Sequence, residues 1–411
     1  MDAENISKKR GLFSIGLYLP GNVWILSITS ALWSIGLSLA TPFQSVFFEG
    51  LGASPFYIGI LSAISSAVTL LAYFLGGYFA DAYGRKKLII VFSFISAASA
   101  FLYFFINTWT YLLIPIVIGA FSGIYTPAFN AMLNDSMDPE FRAIGFASYT
   151  IITTLPSIFS PYIGGLIIEN FGVVPSMKFA FVASGIIGLI AIYWRMLKLK
   201  ETCYNDASGA LSSIKHRNLF KSILRDYLFA LRNSTSQAKK LLLYSITSSF
   251  ASGLSTVFVS VYLINKLSMK PTQYGFLVGI SAVATIVFLI PSIHIIRKYN
   301  LKKIAVLSAL SAPASMLIFV SANGMNDLMA WSATGGVSGS LLSSVVQGLQ
   351  GNATTQRIRG RFMALFSMFS LLAMIPGQVI SGFVYASISP LSTFVLAIPF
   401  YIISVLILLA L

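Results

Sequence analysis

The chain contains about twelve long apolar runs, each long enough to cross a lipid bilayer as a helix. Of its 411 residues, 56% are hydrophobic and only 9% are charged. A transmembrane helix needs roughly 20 mostly apolar residues, and it satisfies its own backbone hydrogen bonds in hydrocarbon. A water-soluble enzyme with one packed core could not bury this much apolar surface. The sequence therefore predicts an all-α integral membrane protein with twelve transmembrane helices. The predicted spans cover about 22–47, 56–79, 88–106, 110–133, 143–168, 178–197, 241–264, 272–296, 303–321, 329–351, 362–385 and 391–411.

The basic residues indicate how these spans are oriented. The net charge is +15, and only Lys178, Lys266 and Lys270 of the 27 Lys and Arg residues fall on one side of the predicted topology. The other 24, with Arg195 counted among them, fall on the opposite side. Because cytoplasmic loops carry an excess of Lys and Arg, we expect both termini in the cytoplasm and the protein in the plasma membrane. The positive charge thus reports orientation and does not indicate a nucleic acid partner. The first apolar run, from Val23, is too long for a cleavable signal peptide, so we expect it to remain as a span.

An internal repeat divides the chain into two halves. A shift of 216 positions places Leu51, Pro55, Gly59, Leu61, Lys86 and Lys87 on Leu267, Pro271, Gly275, Leu277, Lys302 and Lys303. Shifts of 218 and 217 align residues 27–30 with 245–248 and Arg142 with Arg359. We predict a six-helix half over 1–197, a second over 241–411, and a cytoplasmic linker over 198–240. Apolar residues at helical spacing between Leu219 and Leu231 predict an amphipathic helix in this linker.

A short charged segment, GGYFADAYGRKK at residues 76–87, lies between the second and third runs. Its Gly77, Asp81, Gly84 and Arg85 resemble the signature loop of the major facilitator superfamily, a large family of secondary transporters. We call residues 77–87 the signature loop. The resemblance implies the fold of that family, in which two six-helix halves enclose a substrate site near the middle of the bilayer.

The resemblance also implies a gating role for this loop. Asp81 is expected to lie against the positive N-terminal end of the eleventh helix, near Arg361, when the cavity is open to the outside. Arg85 is expected to pair with Asp135 at the end of the fourth helix. Gly77 would permit close helix approach and Gly84 a tight turn. The alternative is that these charges only set the membrane topology.

Two further family patterns are altered in this chain. In the fourth helix, Gly119 stands where the family carries an arginine that is linked to proton coupling. In the fifth helix, Ser160, Pro161, Gly164 and Gly165 resemble the end of the antiporter motif, with Ser160 in place of a glycine. Proline removes a backbone hydrogen bond and glycine allows bending, so we predict a bend in this helix.

The predicted spans carry no acidic or basic residue near their centres. Because a buried charge in the membrane is costly and usually functional, we expect a nearly uncharged cavity and neutral or lipophilic cargo. Amide and aromatic side chains would then contact the cargo. The candidates are Asn130, Tyr149, Trp331, Gln347 and Gln378.

Export of such molecules by alternating access is the leading hypothesis. Uptake of a neutral metabolite such as a sugar is the first alternative, and a membrane sensor without transport activity is the second. Proton coupling is doubtful because the usual membrane carboxylate is missing, so Asp135 or Asp81 would have to replace it. No grouping of His, Cys and acidic residues suits an enzyme or a metal site. We therefore expect no catalytic residue, metal or cofactor, and a monomer whose partners are a small-molecule substrate and the lipid bilayer.

Overall fold

The computed structural model describes residues 17–203, 225, 229, 231–298, 300–353 and 359–411. Within these ranges the chain folds into twelve long helices that follow one another through short turns. They are α1 (Gly21–Gly50), α2 (Pro55–Tyr83), α3 (Arg85–Phe105), α4 (Trp109–Asp135), α5 (142–171), α6 (Val173–Lys198), α7 (Ser236–Lys266), α8 (Pro271–Lys298), α9 (Leu301–Val320), α10 (Met325–Ala353), α11 (Arg359–Ser387) and α12 (Ser392–Leu409). Most of the amphipathic helix predicted between Leu219 and Leu231 lies outside the described residues.

The number and order of the predicted helices are confirmed, and their ends differ by a few residues. In the described part of the chain, eleven helices contain a stretch long and apolar enough to cross a membrane, and the Ser- and Gly-rich α10 is not among them. Helix α6 begins at Val173, five residues before the predicted start at Lys178, whose Nζ reaches outward to Asn107 Oδ1 at 2.7 Å. Helix α7 begins at Ser236, because the Thr235 side chain caps it by accepting from the Ala238 N–H.

The buried apolar residues form one large shared cluster at one end of the bundle and separate clusters at the other. We call the end that carries the signature loop the loop end, and the end that carries Pro55 and Pro271 the far end. The far-end cluster combines residues of both halves, and Phe43 packs edge-on against Tyr274 with ring centroids 5.6 Å apart. Toward the loop end, one cluster lies within the first half and another within the second. The hydrophobic packing that joins the halves is therefore concentrated at the far end.

Two close helix contacts join the halves, and they repeat the internal offset of the sequence. Between α2 and α11, a Cβ added at Gly59 would lie 2.6 Å from the Gln378 carbonyl oxygen, and one at Gly382 would lie 2.9 Å from that of Pro55. Between α5 and α8, a Cβ added at Gly165 would lie 2.5 Å from the Pro271 carbonyl oxygen, and one at Gly275 would overlap the Pro161 carbonyl. Gly59 of the first contact corresponds to Gly275 of the second at an offset of 216, and Gly165 corresponds to Gly382 at an offset of 217. We call them the paired glycine contacts.

Candidate functional site

The signature loop turns sharply at Gly84 and leads directly into α3. Gly84 has φ +85° and ψ 150°, a conformation that is essentially restricted to glycine. Arg85 forms an ion pair with Asp135 at the end of α4, as the sequence predicts. Its Nη1 also donates to Thr202 Oγ1 at 3.3 Å. The tight turn and the ion pair fix this loop within the first half.

Glu201, just past the end of α6, is a residue of this loop that sequence reasoning missed. Its Oε1 accepts from the Arg85 N–H at 3.2 Å and its Oε2 from the Lys86 N–H at 2.9 Å. These donors are otherwise unpaired at the start of α3, so the carboxylate caps that helix. Partial burial raises the pKa of Glu201, but the hydrogen bonds from the backbone N–H groups of Cys203, Lys86, Thr202 and Arg85 outweigh it and hold the pKa below its ordinary value. The first residues of the linker are thus hydrogen-bonded to the signature loop.

The glycine that allows close helix approach is Gly76 and not the predicted Gly77. A Cβ on Gly77 would meet nothing within 4 Å, whereas one on Gly76 would overlap the Ile124 carbonyl and lie 3.1 Å from Pro127 Cδ. The two residues are neighbours on a helix and so point to different faces, of which only one meets α4. The side chains of Asp81 and Arg361 lie outside the described residues, so their predicted contact stays a prediction.

Helix α5 is interrupted earlier than the sequence predicts. It consists of two segments, Arg142–Thr154 and Pro156–Phe171, so the break falls at Leu155, where Pro156 has no N–H to continue the hydrogen-bond ladder. The second segment continues through Pro161, where the bend was predicted. Gly164 and Gly165, which were predicted to allow bending, instead allow neighbouring helices to pack closely against α5. A Cβ on Gly164 would lie 2.5 Å from the Leu39 carbonyl oxygen of α1, and Gly165 forms one of the paired glycine contacts.

Polar side chains add to the contact between the halves at the far end. Glu169 accepts from the Thr272 N–H at 2.9 Å, and Glu49 accepts from the Asn265 side chain. The buried Gln378 accepts from Ser66 Oγ at 2.9 Å across the α2–α11 contact. Gln378 lines a small polar cavity of about 180 Å³. This predicted substrate residue therefore takes part in the contact between the halves.

A larger cavity of about 530 Å³ lies inside the second half. Its walls combine hydroxyl groups with aromatic rings, and none of the lining residues that the structure describes carries a charge. They include Tyr244, Ser245, Ser248, Ser252, Ser315, Trp331, Ser338, Phe366, Ser370 and Tyr401. The predicted substrate residue Trp331 thus lies in a space of the size that small-molecule sites occupy.

The first half holds a buried cation that the sequence prediction placed among the cytoplasmic charges. Arg195 is in the last turn of α6 and only 2% exposed. Its Nε donates to Thr29 Oγ1 at 2.9 Å, its Nη2 to Ser30 Oγ at 2.9 Å and its Nη1 to Ser93 Oγ at 3.0 Å. Helical side chains point back toward the helix N-terminus, which carries this guanidinium from the end of α6 into the bundle. Arg195 lies away from the centre of its span, as the sequence places it, but the expectation of a nearly uncharged cavity did not anticipate this buried guanidinium.

Aromatic rings surround this guanidinium. Its central carbon lies 5.7 Å from the ring centroid of Trp33 and 5.5 Å from that of Phe129. The predicted substrate residue Tyr149 packs edge-on against Phe129 at 5.8 Å. We call Arg195 with Thr29, Ser30, Ser93, Trp33, Phe129 and Tyr149 the Arg195 cluster. The polar residues at neighbouring positions 29 and 30 of the first helix were the one signal in the sequence that something polar lies between these helices.

The predicted substrate residues do not form one site in this structure. Tyr149 belongs to the Arg195 cluster, Trp331 lines the second-half cavity and Gln378 lies at the far end. Asn130 is exposed on α4, and the side chain of Gln347 lies outside the described residues. Among the residues that the structure describes, no group of His, Cys, Asp and Glu could hold a metal ion.

Comparison with known proteins identifies relatives over nearly the whole chain. The family model of the Major Facilitator Superfamily matches residues 14–236 and 241–411. The uncharacterized MFS-type transporter YqjV of Bacillus subtilis is 24% identical over 369 residues, which cover 87% of this chain and 85% of YqjV. The quinolone resistance protein NorA of Staphylococcus aureus is 23% identical over 188 residues, which cover 46% of this chain and 47% of NorA.

Solved structures have the same fold at low sequence identity. A crystal structure of a point mutant of the nucleoside transporter NupG superposes with a TM-score of 0.76 at 14% identity, over 94% of this chain and 99% of NupG. A point mutant of the peptide transporter POT in complex with sulfate gives a TM-score of 0.73 at 14% identity, over 100% of this chain and 98% of that structure. With twelve helices, a signature loop and a family match over both halves, the chain belongs to the major facilitator superfamily of secondary transporters.

Proposed function

We propose that the protein exports neutral or lipophilic small molecules by alternating access between its two halves. The observation that carries this proposal is the cavity of about 530 Å³ in the second half, because its lining offers hydroxyl groups and rings without a fixed charge. Such a lining can bury apolar surface and hydrogen-bond the few polar atoms of a lipophilic compound.

The packing of the halves supports alternating access. The shared apolar cluster and the paired glycine contacts close the far end, whereas the loop-end clusters stay within single halves. A transporter that rocks about a central site needs one end closed while the other is free to separate. We propose that the far end faces the outside and that both termini lie in the cytoplasm, as the distribution of basic residues predicts.

Export is favoured over uptake by similarity. NorA is named for quinolone resistance, and this chain matches it over 47% of its length. The motif in α5 that resembles the antiporter pattern supports the same direction. Uptake of a neutral metabolite remains the second candidate, because the serine hydroxyls of the cavity could equally bind the hydroxyl groups of a sugar.

The proposal is tested in cells that express the protein by measuring the accumulation of neutral lipophilic dyes and labelled sugars, with and without an uncoupler. We expect lower dye levels than in control cells, and a rise on uncoupling if export is energised by a proton gradient. Replacing the cavity-lining Trp331→Ala should reduce export severalfold, because an aromatic wall of the cavity is lost. Trp24→Ala, a change at a residue that is 50% exposed, is the matched control and should export normally.

Other outcomes would change the conclusion. Unchanged dye levels with faster sugar entry would indicate the uptake carrier. No transport of any compound by a protein that is present and folded in the membrane would favour the sensor. Equal losses in Trp331→Ala and Trp24→Ala would contradict the assignment of the cavity as the cargo site.

A further inference from the structure

The buried charge of Arg195 has neutral hydrogen-bond partners in the part of the chain that the structure describes. Its three recorded acceptors are the hydroxyl groups of Thr29, Ser30 and Ser93. These three bonds use three of the five guanidinium N–H donors. Thr29 donates its own proton to the Ile25 carbonyl at 2.7 Å, which leaves a lone pair for Arg195. The hydroxyl groups solvate the cation without neutralising it.

The acidic side chains that the structure describes in the first half lie near the ends of the helices. Glu49 and Glu169 contact second-half residues at the far end, and Asp135 pairs with Arg85 at the loop end. The guanidinium instead bonds to the hydroxyls of Thr29 and Ser30, about two turns inside the start of α1 at Gly21. Water and salt screen a buried charge less than an exposed one, so this charge acts on other charges in the protein interior beyond its direct contacts.

The second half has a cavity in the place that corresponds to the Arg195 cluster. Ser30 corresponds to Ser248 at an offset of 218, and Phe129 and Tyr149 correspond to Val346 and Phe366 at an offset of 217. These three second-half counterparts line the 530 Å³ cavity. The first half therefore fills this position with the Arg195 guanidinium and aromatic rings, whereas the second half has a cavity there.

We propose that Arg195 sets the charge preference of the cargo, so that the protein disfavours cationic molecules relative to neutral or anionic molecules of the same size. This inference rests on the proposed transport function and narrows its substrate class. At roughly 15 Å and an effective dielectric constant near 20, one unit charge changes the binding equilibrium of another by about fivefold. A smaller separation raises that factor.

The test measures binding to the full-length protein in lipid nanodiscs with two probes of the same shape and opposite charge, tetraphenylphosphonium and tetraphenylborate, and a neutral lipophilic dye. The readout is the ratio of cation affinity to anion affinity. Removing the charge by Arg195→Gln should raise this ratio about 25-fold or more, because cation binding strengthens and anion binding weakens about fivefold each. Arg195→Lys, which keeps the charge, should leave the ratio near that of the unmodified protein. Lys198→Gln is the matched control, since it removes one positive charge from an exposed position in the same last turn of α6.

The affinity ratio separates a selectivity role from a purely structural one. If Arg195 only ties α6 to α1 and α3, Arg195→Gln will lower the apparent melting temperature and leave the ratio unchanged, which would overturn the inference. If Arg195→Gln fails to fold, the test uses the unmodified protein alone. The inference then requires that this protein bind the anion more tightly than the cation, after binding to empty nanodiscs has been subtracted. Equal binding overturns the inference alone, whereas failure to bind or transport even the neutral dye overturns the proposed function and this inference with it.

Discussion

At the scale of single residues, the acceptor that caps α3 comes from outside the predicted signature loop. Glu201 accepts from the Arg85 and Lys86 N–H groups, and its carboxylate also bonds to its own neighbours Thr202 and Cys203. The site is partly open to water, so the strength of these bonds is moderate. The Glu201 side chain therefore connects the start of the linker to the signature loop.

Replacing this carboxylate should weaken the loop in a pH-dependent way. Glu201→Gln is expected to lower stability by about 1 kcal/mol, the typical effect of losing a helix cap. The pKa of Glu201 lies below its ordinary value of 4.5 in the folded protein, so the carboxylate stabilises the fold above pH 4.5 and loses this effect as pH falls through the lower folded value. Apparent melting temperatures of the two proteins should differ at pH 7 and converge below pH 4.5. Glu140→Gln, at an exposed acid of the same end, should change nothing; a similar drop there would contradict the assignment.

Some residues of the site could be predicted from sequence and others could not, for identifiable reasons. The Arg85–Asp135 pair and the turn at Gly84 could be predicted because the loop resembles the signature loop of the family. Arg195 was misplaced because hydropathy locates a Cα along the chain, whereas a long side chain in the last helical turn extends back into the bundle. Gly76 was missed because two adjacent glycines look alike until the packed face of the helix is known.

At the scale of helices, apolar run length located every span, because the bilayer sets a minimum length that few other constraints oppose. The positions where helices begin and end depend on features that run length does not include. Examples are the Thr235 cap of α7 and the hydrogen bond of Lys178 in α6 to Asn107. The pairing of helices was not predictable from run length either. It depends on which glycines meet backbone, as the paired glycine contacts show.

A methyl group placed in one of the paired glycine contacts should loosen the far end. Gly275→Ala would bring a Cβ onto the Pro161 carbonyl, and overpacking of this kind costs about 1–3 kcal/mol. We expect a broader and longer distance distribution between spin labels at Ser54 and Ser268, exposed far-end positions in different halves, in a Cys203→Ser background. Gly324→Ala, also at the far end, has open space for its Cβ and should leave the distances unchanged. An unaltered distribution in Gly275→Ala would mean that this contact does not hold the halves together.

At the scale of the whole molecule, the structure is closed at the far end, and the gating role predicted for Asp81 concerns the opposite state. Closure of the loop end would bring the end of α2 toward the start of α11, where unpaired N–H groups favour an anion. The described residues hold the signature loop through partners in the first half and the early linker, namely Asp135, Glu201 and Thr202. Those contacts can persist while the halves move.

Neutralising Asp81 should therefore weaken the outward-open state without disrupting the fold. Asp81→Asn is expected to reduce crosslinking between cysteines placed at Tyr83 and Met363 by about two- to fivefold, the range that a charge at a helix N-terminus contributes. The measurement compares crosslinking yields in the membrane, with Glu140→Gln as the control for loss of an acid at the same end. If the yields in Asp81→Asn and the unmodified protein agree, Asp81 does not gate the transporter.

The paired glycine contacts have an electrical consequence for the transport cycle. They bring glycine and backbone carbonyl groups of α2, α5, α8 and α11 together, and none of these groups carries a net charge. A membrane potential acts on a conformational change only through the charge that the change moves, at about 2.3 kcal/mol per elementary charge per 100 mV. Separating these uncharged backbone surfaces would move little charge through the field, so we expect this part of the contact between the halves to separate at the same cost whether the cell is energised or depolarised.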